Sequence, residues 1–178
     1  MKKTFLNIIS YCFVVLTFSV SSFGLDNEVA TESVTQSSFD SLFIEKMTRH
    51  HQDSVDMGKF AIDKGESSEI KSISQKIIDD QTKEIAQMRE WKMKWYKDDV
   101  TKADMPKMDM SHLQTLKGKE FDKMFLTMMT EHHQGAITIS KDMMPKLKHK
   151  QIKDFAKNII KKQKSEIAQL EKLESKIE

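Results

Sequence analysis

The chain of 178 residues has one cysteine, two prolines and five glycines. Each scarcity excludes something. Cys12 lies in the apolar N-terminal run, so the rest of the chain has no thiol and no disulfide can brace it. So few prolines and glycines leave little turn punctuation for a β protein, and helices become the default. An excess of one charge is lacking too. Residues 1–24 hold two lysines and no acid, so of 29 basic and 27 acidic residues 27 of each remain beyond them. A neutral surface offers no electrostatic footprint for nucleic acid or an anionic membrane.

There is one long apolar run. Lys2 and Lys3 precede Phe5 to Val20, and Ser22 and Gly24 then fall at the −3 and −1 positions of a cleavage site. This pattern predicts a secretory signal over 1–24, too short for a convincing membrane span, with an uncleaved N-terminal anchor as the alternative. Cys12 lacks the small preceding residue of a lipoprotein site. Cleavage after Gly24 would leave 154 residues, which suits one domain with a modest core. Residues 25–37 are polar without period and are expected to form a mobile leader.

Beyond the leader the chain states its plan twice. Residues 39–96 laid over 121–178 at a constant offset of 82 match at 20 of 58 positions. The matches include Met47/Met129, His50-His51-Gln52/His132-His133-Gln134, and the Gln-x-x-Glu-Ile-Ala-Gln runs that start at Gln81 and Gln163. A duplicated hairpin needs only its apolar residues to fold, so polar residues kept in register point to a duplicated site.

Punctuation sets the helices. Gly65 ends a first helix over 39–64, and Ser67 caps a second running to Lys97. The stretch 98–118, with Pro106 and Gly118, breaks the pattern. A third helix runs to Met144, where Pro145 stops it, and a fourth runs from Lys148 to the end. The expected architecture is all-α: an antiparallel four-helix bundle over 39–178, made of repeat one (39–97), a Met-rich linker (98–118) and repeat two (119–178).

Apolar residues at steps of three and four mark the core faces, and polar residues interrupt each stripe halfway. Gln81 and Glu84 sit in the stripe of the second helix, Gln163 and Glu166 in that of the fourth, His50 in the first and His132 in the third. Folding the first hairpin about residue 66 sets His51 beside Gln81 and His50 near Glu84, and folding the second about residue 148 sets His133 beside Gln163. By stripe position His50 and His132 are the more core-facing histidines. One bundle layer would then hold four histidines, two glutamates, two glutamines and nearby methionines, a costly burial unless the groups pair or bind something.

Metal accounts for that layer economically. Met47 with His50 and His51, and Met129 with His132 and His133, put thioether and imidazole donors at i, i+3 and i+4 on one helix face. A hydrogen-bonded His–Glu/Gln layer that fixes helix register is the alternative. Twelve methionines besides the initiator exceed the needs of gap filling, and Met105, Met108, Met110 and His112 cluster in a linker with no core of its own to fill. Thioether suits Cu(I) and imidazole suits both copper oxidation states, so copper is the expected ion, Cu(I) before Cu(II). Glu84 and Glu166 are either direct ligands or, with Gln81 and Gln163, orient the imidazoles; Met57 and Met88 are further ligand candidates. Met93, Met143 and Met144 are assigned to packing, and His149 to an exposed helix start.

Met47-x-x-His50-His51 followed by Gln81-x-x-Glu84-Ile85-x-x-Met88-x-x-Trp91 resembles the bacterial ferritin-like family known as domain of unknown function 305, which includes secreted copper-binding proteins of the CopM type. The resemblance covers nearly all of 39–178. It implies a four-helix bundle outside the cytoplasm that binds copper through Met and His and contributes to copper tolerance. Repeat two departs from the pattern, with Ile139, Leu170 and Leu173 where repeat one has Met57, Met88 and Trp91. A periplasmic or secreted copper buffer or carrier is therefore expected, not a catalyst, with a copper exporter or another periplasmic copper protein as partner. Two other classes compete. A ferritin-like di-iron oxidase wants Glu-x-x-His on two helices, and no Glu-x-x-His occurs in this sequence. A metal-free interaction bundle would leave the linker methionines unexplained.

Overall fold

The computed structural model describes residues 26–98 and 107–177, with side chains from Phe39 onward. The expected signal over 1–24 and Met105 lie outside the described residues. Among the described residues five α-helices form: α1 (Asp26–Lys64), α2 (Ser68–Tyr96), α3 (Ser111–Thr115), α4 (Gly118–Met143) and α5 (Lys150–Glu174). No strand occurs among the described residues. The backbone of 26–37 is helical and continuous with the rest of α1; the segment contains no glycine or proline to interrupt it.

Local chemistry explains the helix ends. The Ser67 hydroxyl accepts the Ile70 N–H at 3.3 Å and caps α2. At its far end Lys97 takes a left-handed φ of 53° and donates its N–H to Met93. Pro145 converts the end of α4 into a single 3₁₀ turn, Met144–Lys146.

Helix α1 packs on α2 and α4 on α5, and the two hairpins meet through α1 and α4. Asp122, at the start of α4, accepts N–H groups from Glu66 and Ser67 past the end of α1. Asp40, near the start of repeat one, accepts from Lys148 and His149 past the end of α4. Thus α1 and α4 run antiparallel, and Tyr96 and Gly118 lie at opposite ends of the bundle. The linker must cross its whole length, as in ferritin-like bundles. A 26-residue helix is about 39 Å long, within reach of some 20 linker residues at about 3.3 Å each.

Asp40 and Asp122 are repeat mates, and each caps the turn of the other hairpin. Gly65 makes one of these contacts possible, since a Cβ there would stand 2.8 Å from Asp122 Oδ1 and 2.6 Å from the Ala61 carbonyl.

The core divides in two. One apolar cluster holds Phe43, Met47, Ile85, Met88, Ile152 and Ile159; the other holds Met57, Ile70, Ile77, Phe125, Met129 and Leu170. Along every long helix the polar residues of the repeated motif fall between members of the two clusters. The interrupted stripes therefore align as one polar layer across the middle of the bundle.

Candidate metal centre

The two histidines of each pair face different neighbours. His51 and His133 have no exposed surface, and their Nε2 atoms lie 2.8 Å and 3.0 Å from Glu84 Oε2 and Glu166 Oε2. His50 and His132 meet between α1 and α4, with ring centroids 3.7 Å apart. His50 is half-buried and His132 is 8% exposed. This reverses the expectation that His50 and His132 would be the more core-facing pair. Because α1 and α4 each pack against two helices, their buried arcs are wide enough to take adjacent residues 100° apart.

The partners also differ from those expected. His51 meets Glu84, not Gln81, and His133 meets Glu166, not Gln163. Side chains lean toward the N-terminus of their own helix, so across an antiparallel hairpin a histidine reaches a residue about one turn beyond the position level with its Cα. Gln81 and Gln163, expected to orient imidazoles, are 2% exposed each, and their amide atoms have no hydrogen-bond partner.

Both carboxylates are fully engaged. The second oxygen of Glu84 accepts from Lys162 at 2.9 Å, and that of Glu166 from Lys76 at 3.2 Å, each lysine coming from the other repeat. Burial pushes both carboxyls up, but the His51 and Lys162 bonds to Glu84, and the His133 and Lys76 bonds to Glu166, outweigh it and hold both below the usual carboxylate range. Ionised carboxylates only accept, so His51 and His133 donate from Nε2 and in the neutral ring Nδ1 is bare. The glutamates thus hold the rings, with each carboxylate oxygen already accepting a hydrogen bond.

Four bare nitrogens result. His50 Nδ1, His51 Nδ1, His132 Nε2 and His133 Nδ1 are all buried without a hydrogen-bond partner. Burial, reinforced by the other histidines, pulls His50 down to about 3 and His132 down to about 2, so both rings are neutral at physiological pH and have a lone pair to give. Buried imidazole nitrogens without a partner are a costly arrangement that a soft cation would relieve. Among the described residues no three His, Asp or Glu side chains converge as a ready cage, so the fit depends on thioether donors. Met47, Met57, Met88 and Met129 are fully buried and border the layer, Met47 and Met88 on one side and Met57 and Met129 on the other.

The linker behaves otherwise. Met110 and Leu113 are buried in the second apolar cluster and Met108 packs against it, because the crossing linker lays its own short helix α3 on the bundle. The linker does have a core to fill, and the thioethers of Met108 and Met110 fill it; His112 stays exposed. His149 is no bare helix start either, as it pairs with Asp40 at 2.6 Å and stacks on Trp95 at 4.1 Å. Met93 is half exposed.

Several working residues escaped the sequence reading. Asp40 and Asp122 were visible in the repeat as an unexplained polar identity. Lys76 and Lys162 are not repeat mates, and Ser54, whose hydroxyl sits 3.2 Å from His132 Nδ1, aligns with Ala136. No repeat signal marks these three.

The model for domain of unknown function (DUF305) matches residues 40–174. Among solved structures, CopM in its Cu(I)-bound form is 34% identical, covering 77% of this chain and 96% of that one with a TM-score of 0.70. CopM in its Cu(II)-bound form is 33% identical over the same shares, with a TM-score of 0.68. A DUF305 protein of Streptomyces coelicolor, classed as a candidate secreted protein, is 26% identical, covers 78% of this chain and 93% of that one, and has a TM-score of 0.71. A search among curated proteins returned no match.

Proposed function

The chain belongs to the DUF305 family, and from that premise we propose that it binds copper in the polar layer of its bundle, as a periplasmic or secreted buffer or carrier. One observation carries the reading: four imidazoles each offer a buried nitrogen without a partner to a layer bordered on both sides by buried methionines. His50, His51, His132 and His133 supply the nitrogen donors and Met47, Met129, Met57 and Met88 the sulfur donors. Glu84 and Glu166 hold rings in place and are not ligands. CopM structures with Cu(I), Cu(II) and silver support copper as the cargo.

Thioether-rich, thiol-free donors favour Cu(I). The predicted signal supports export from the cytoplasm, and no helix of the described residues is long and apolar enough to cross a membrane. A copper exporter or another copper protein outside the cytoplasm is the expected exchange partner. A di-iron oxidase is disfavoured because its bridging carboxylates would have to come from Glu84 and Glu166, which His51, His133 and two lysines already occupy.

Metal analysis of protein purified from the periplasm tests the reading. Copper should be present, and chelator competition should show Cu(I) held more tightly than Zn(II) at neutral pH. Replacing His50 and His51 together by Ala should remove the copper, while replacing Met108 and Met110 by Leu should leave it. Equal or tighter Zn(II) binding, or copper lost only in the linker variant, would overturn the assignment.

A further inference from the structure

The two histidines that face each other between α1 and α4 are not held alike. Ser54, with no exposed surface, places its hydroxyl 3.2 Å from His132 Nδ1 and 3.4 Å from Met129 Sδ. A thioether sulfur only accepts, and a hydroxyl has one hydrogen to give. Both contacts are satisfied together in one way: O–H points at Met129 Sδ and the oxygen accepts Nδ1–H from His132. His132 Nε2 is then the bare nitrogen, and it is also the His132 atom that is buried without a partner.

Nothing equivalent acts on His50. The repeat mate of Ser54 is Ala136, which has no hydroxyl, and His50 Nδ1 is buried without a partner. Its Nε2 edge lies against the α4 backbone at Gly135, where a Cβ would stand only 3.1 Å away; the repeat mate of that glycine is Asp53. His51 and His133, held at Nε2 by glutamates, thus leave Nδ1 free, whereas His132 leaves Nε2 free, and Ser54 is the side chain that makes the difference.

We infer that Ser54 is a positioning residue of the metal layer: it fixes the tautomer of His132 so that Nε2 faces the ion, and it orients Met129 in the same stroke. The inference rests on the copper reading for its purpose, though the tautomer is a property of the metal-free protein. Residues that orient a metal-binding imidazole govern affinity as well as geometry, and losing one typically costs about 10–100-fold.

The experiment is imidazole nitrogen NMR on the metal-free protein, wild type against Ser54→Ala, with Cu(I) titration of both against a calibrated chelator. In the wild type His132 should carry its proton on Nδ1. In Ser54→Ala it should shift toward Nε2–H, the ordinary preference of a neutral histidine, and Cu(I) affinity should fall about tenfold. Ser54→Thr, which keeps the hydroxyl, should restore the Nδ1–H form. Circular dichroism should show both variants helical, since Ala136 already serves as an alanine at the matching site. An unchanged tautomer in Ser54→Ala overturns the inference whether or not copper binds. A shifted tautomer with unchanged Cu(I) affinity overturns the positioning role, and no copper binding by the wild type would instead sink the copper reading itself.

Discussion

Repeat one and repeat two share their frame and differ in their chemistry. Both keep the capping aspartate, the methionine one turn before the His pair, and the glutamate that holds the second histidine. Where they diverge, the consequences are polar. Thr48 donates to Met88 Sδ at 3.7 Å, whereas its mate Thr130 has no partner, because repeat two has Leu170 where repeat one has Met88. Ser54 serves His132, whereas Ala136 serves nothing. The two segments therefore share a scaffold with a polar layer and differ around it, with more sulfur on the repeat-one side.

The largest effect should come from the shared frame. Phe43→Ala and Phe125→Ala, repeat mates with no exposed surface, should each cost about 3–5 kcal/mol in urea unfolding. A gap beyond about 1 kcal/mol between them would show that the two apolar clusters are not equivalent supports.

Acid should separate the histidines from the frame. His50 and His132 stay neutral in the fold down to about pH 3 and 2, while in the unfolded chain they take up protons near 6.5. Above 6.5 neither ring contributes to the pH dependence. Below it the unfolded state binds more protons, so stability of the metal-free protein falls with pH by up to about 1.4 kcal/mol per unit for each ring. Between pH 6 and 5, above the carboxylate range, His132→Leu should remove about half of that slope. An unchanged slope would mean that the ring is already protonated in the fold.

The crossed caps rank next. Asp40→Ala and Asp122→Ala each leave two part-buried backbone N–H groups without their carboxylate, so each should cost about 1–2 kcal/mol, read from chemical denaturation. A cost of zero for one would show that its turn is held by other means.

Exchanging the divergent methionines should move copper more than stability. Met57→Ile with Met88→Leu makes repeat one resemble repeat two, and such volume-conserving changes cost below about 1.5 kcal/mol each while Cu(I) affinity falls. Leu170→Met should act in reverse, giving Thr130 a sulfur partner and the second half-site a thioether. Equal Cu(I) affinity across all three proteins would make these methionines packing alone.

The smallest effect isolates one hydroxyl. Thr130→Val removes an unsatisfied donor without changing shape and should be neutral or stabilising by up to about 1 kcal/mol, whereas Thr48→Val breaks a bond and should be mildly destabilising, by thermal unfolding.

The sequence by itself determined the four long helices from residue 39 onward, their hairpin pairing and the polar layer. Glycine, proline and serine mark the ends of α1, α2 and α4, and the 3.6-residue period assigns each motif residue to a helix face. The repeat then flags the polar residues worth keeping, with Asp40 and Asp122 legible there as well. Tertiary structure alone decided who meets whom. That His51 meets Glu84 and not Gln81 depends on side-chain lean across a hairpin, and that Lys76, Lys162 and Ser54 serve the opposite repeat depends on how two hairpins dock. That Met110 is buried in the second apolar cluster and Met108 packs against it depends on α3 lying on the bundle. Periodicity fixes an angle around one helix axis; which nitrogen of a buried imidazole stays bare is set by groups from several helices at once, and no single segment of sequence contains them.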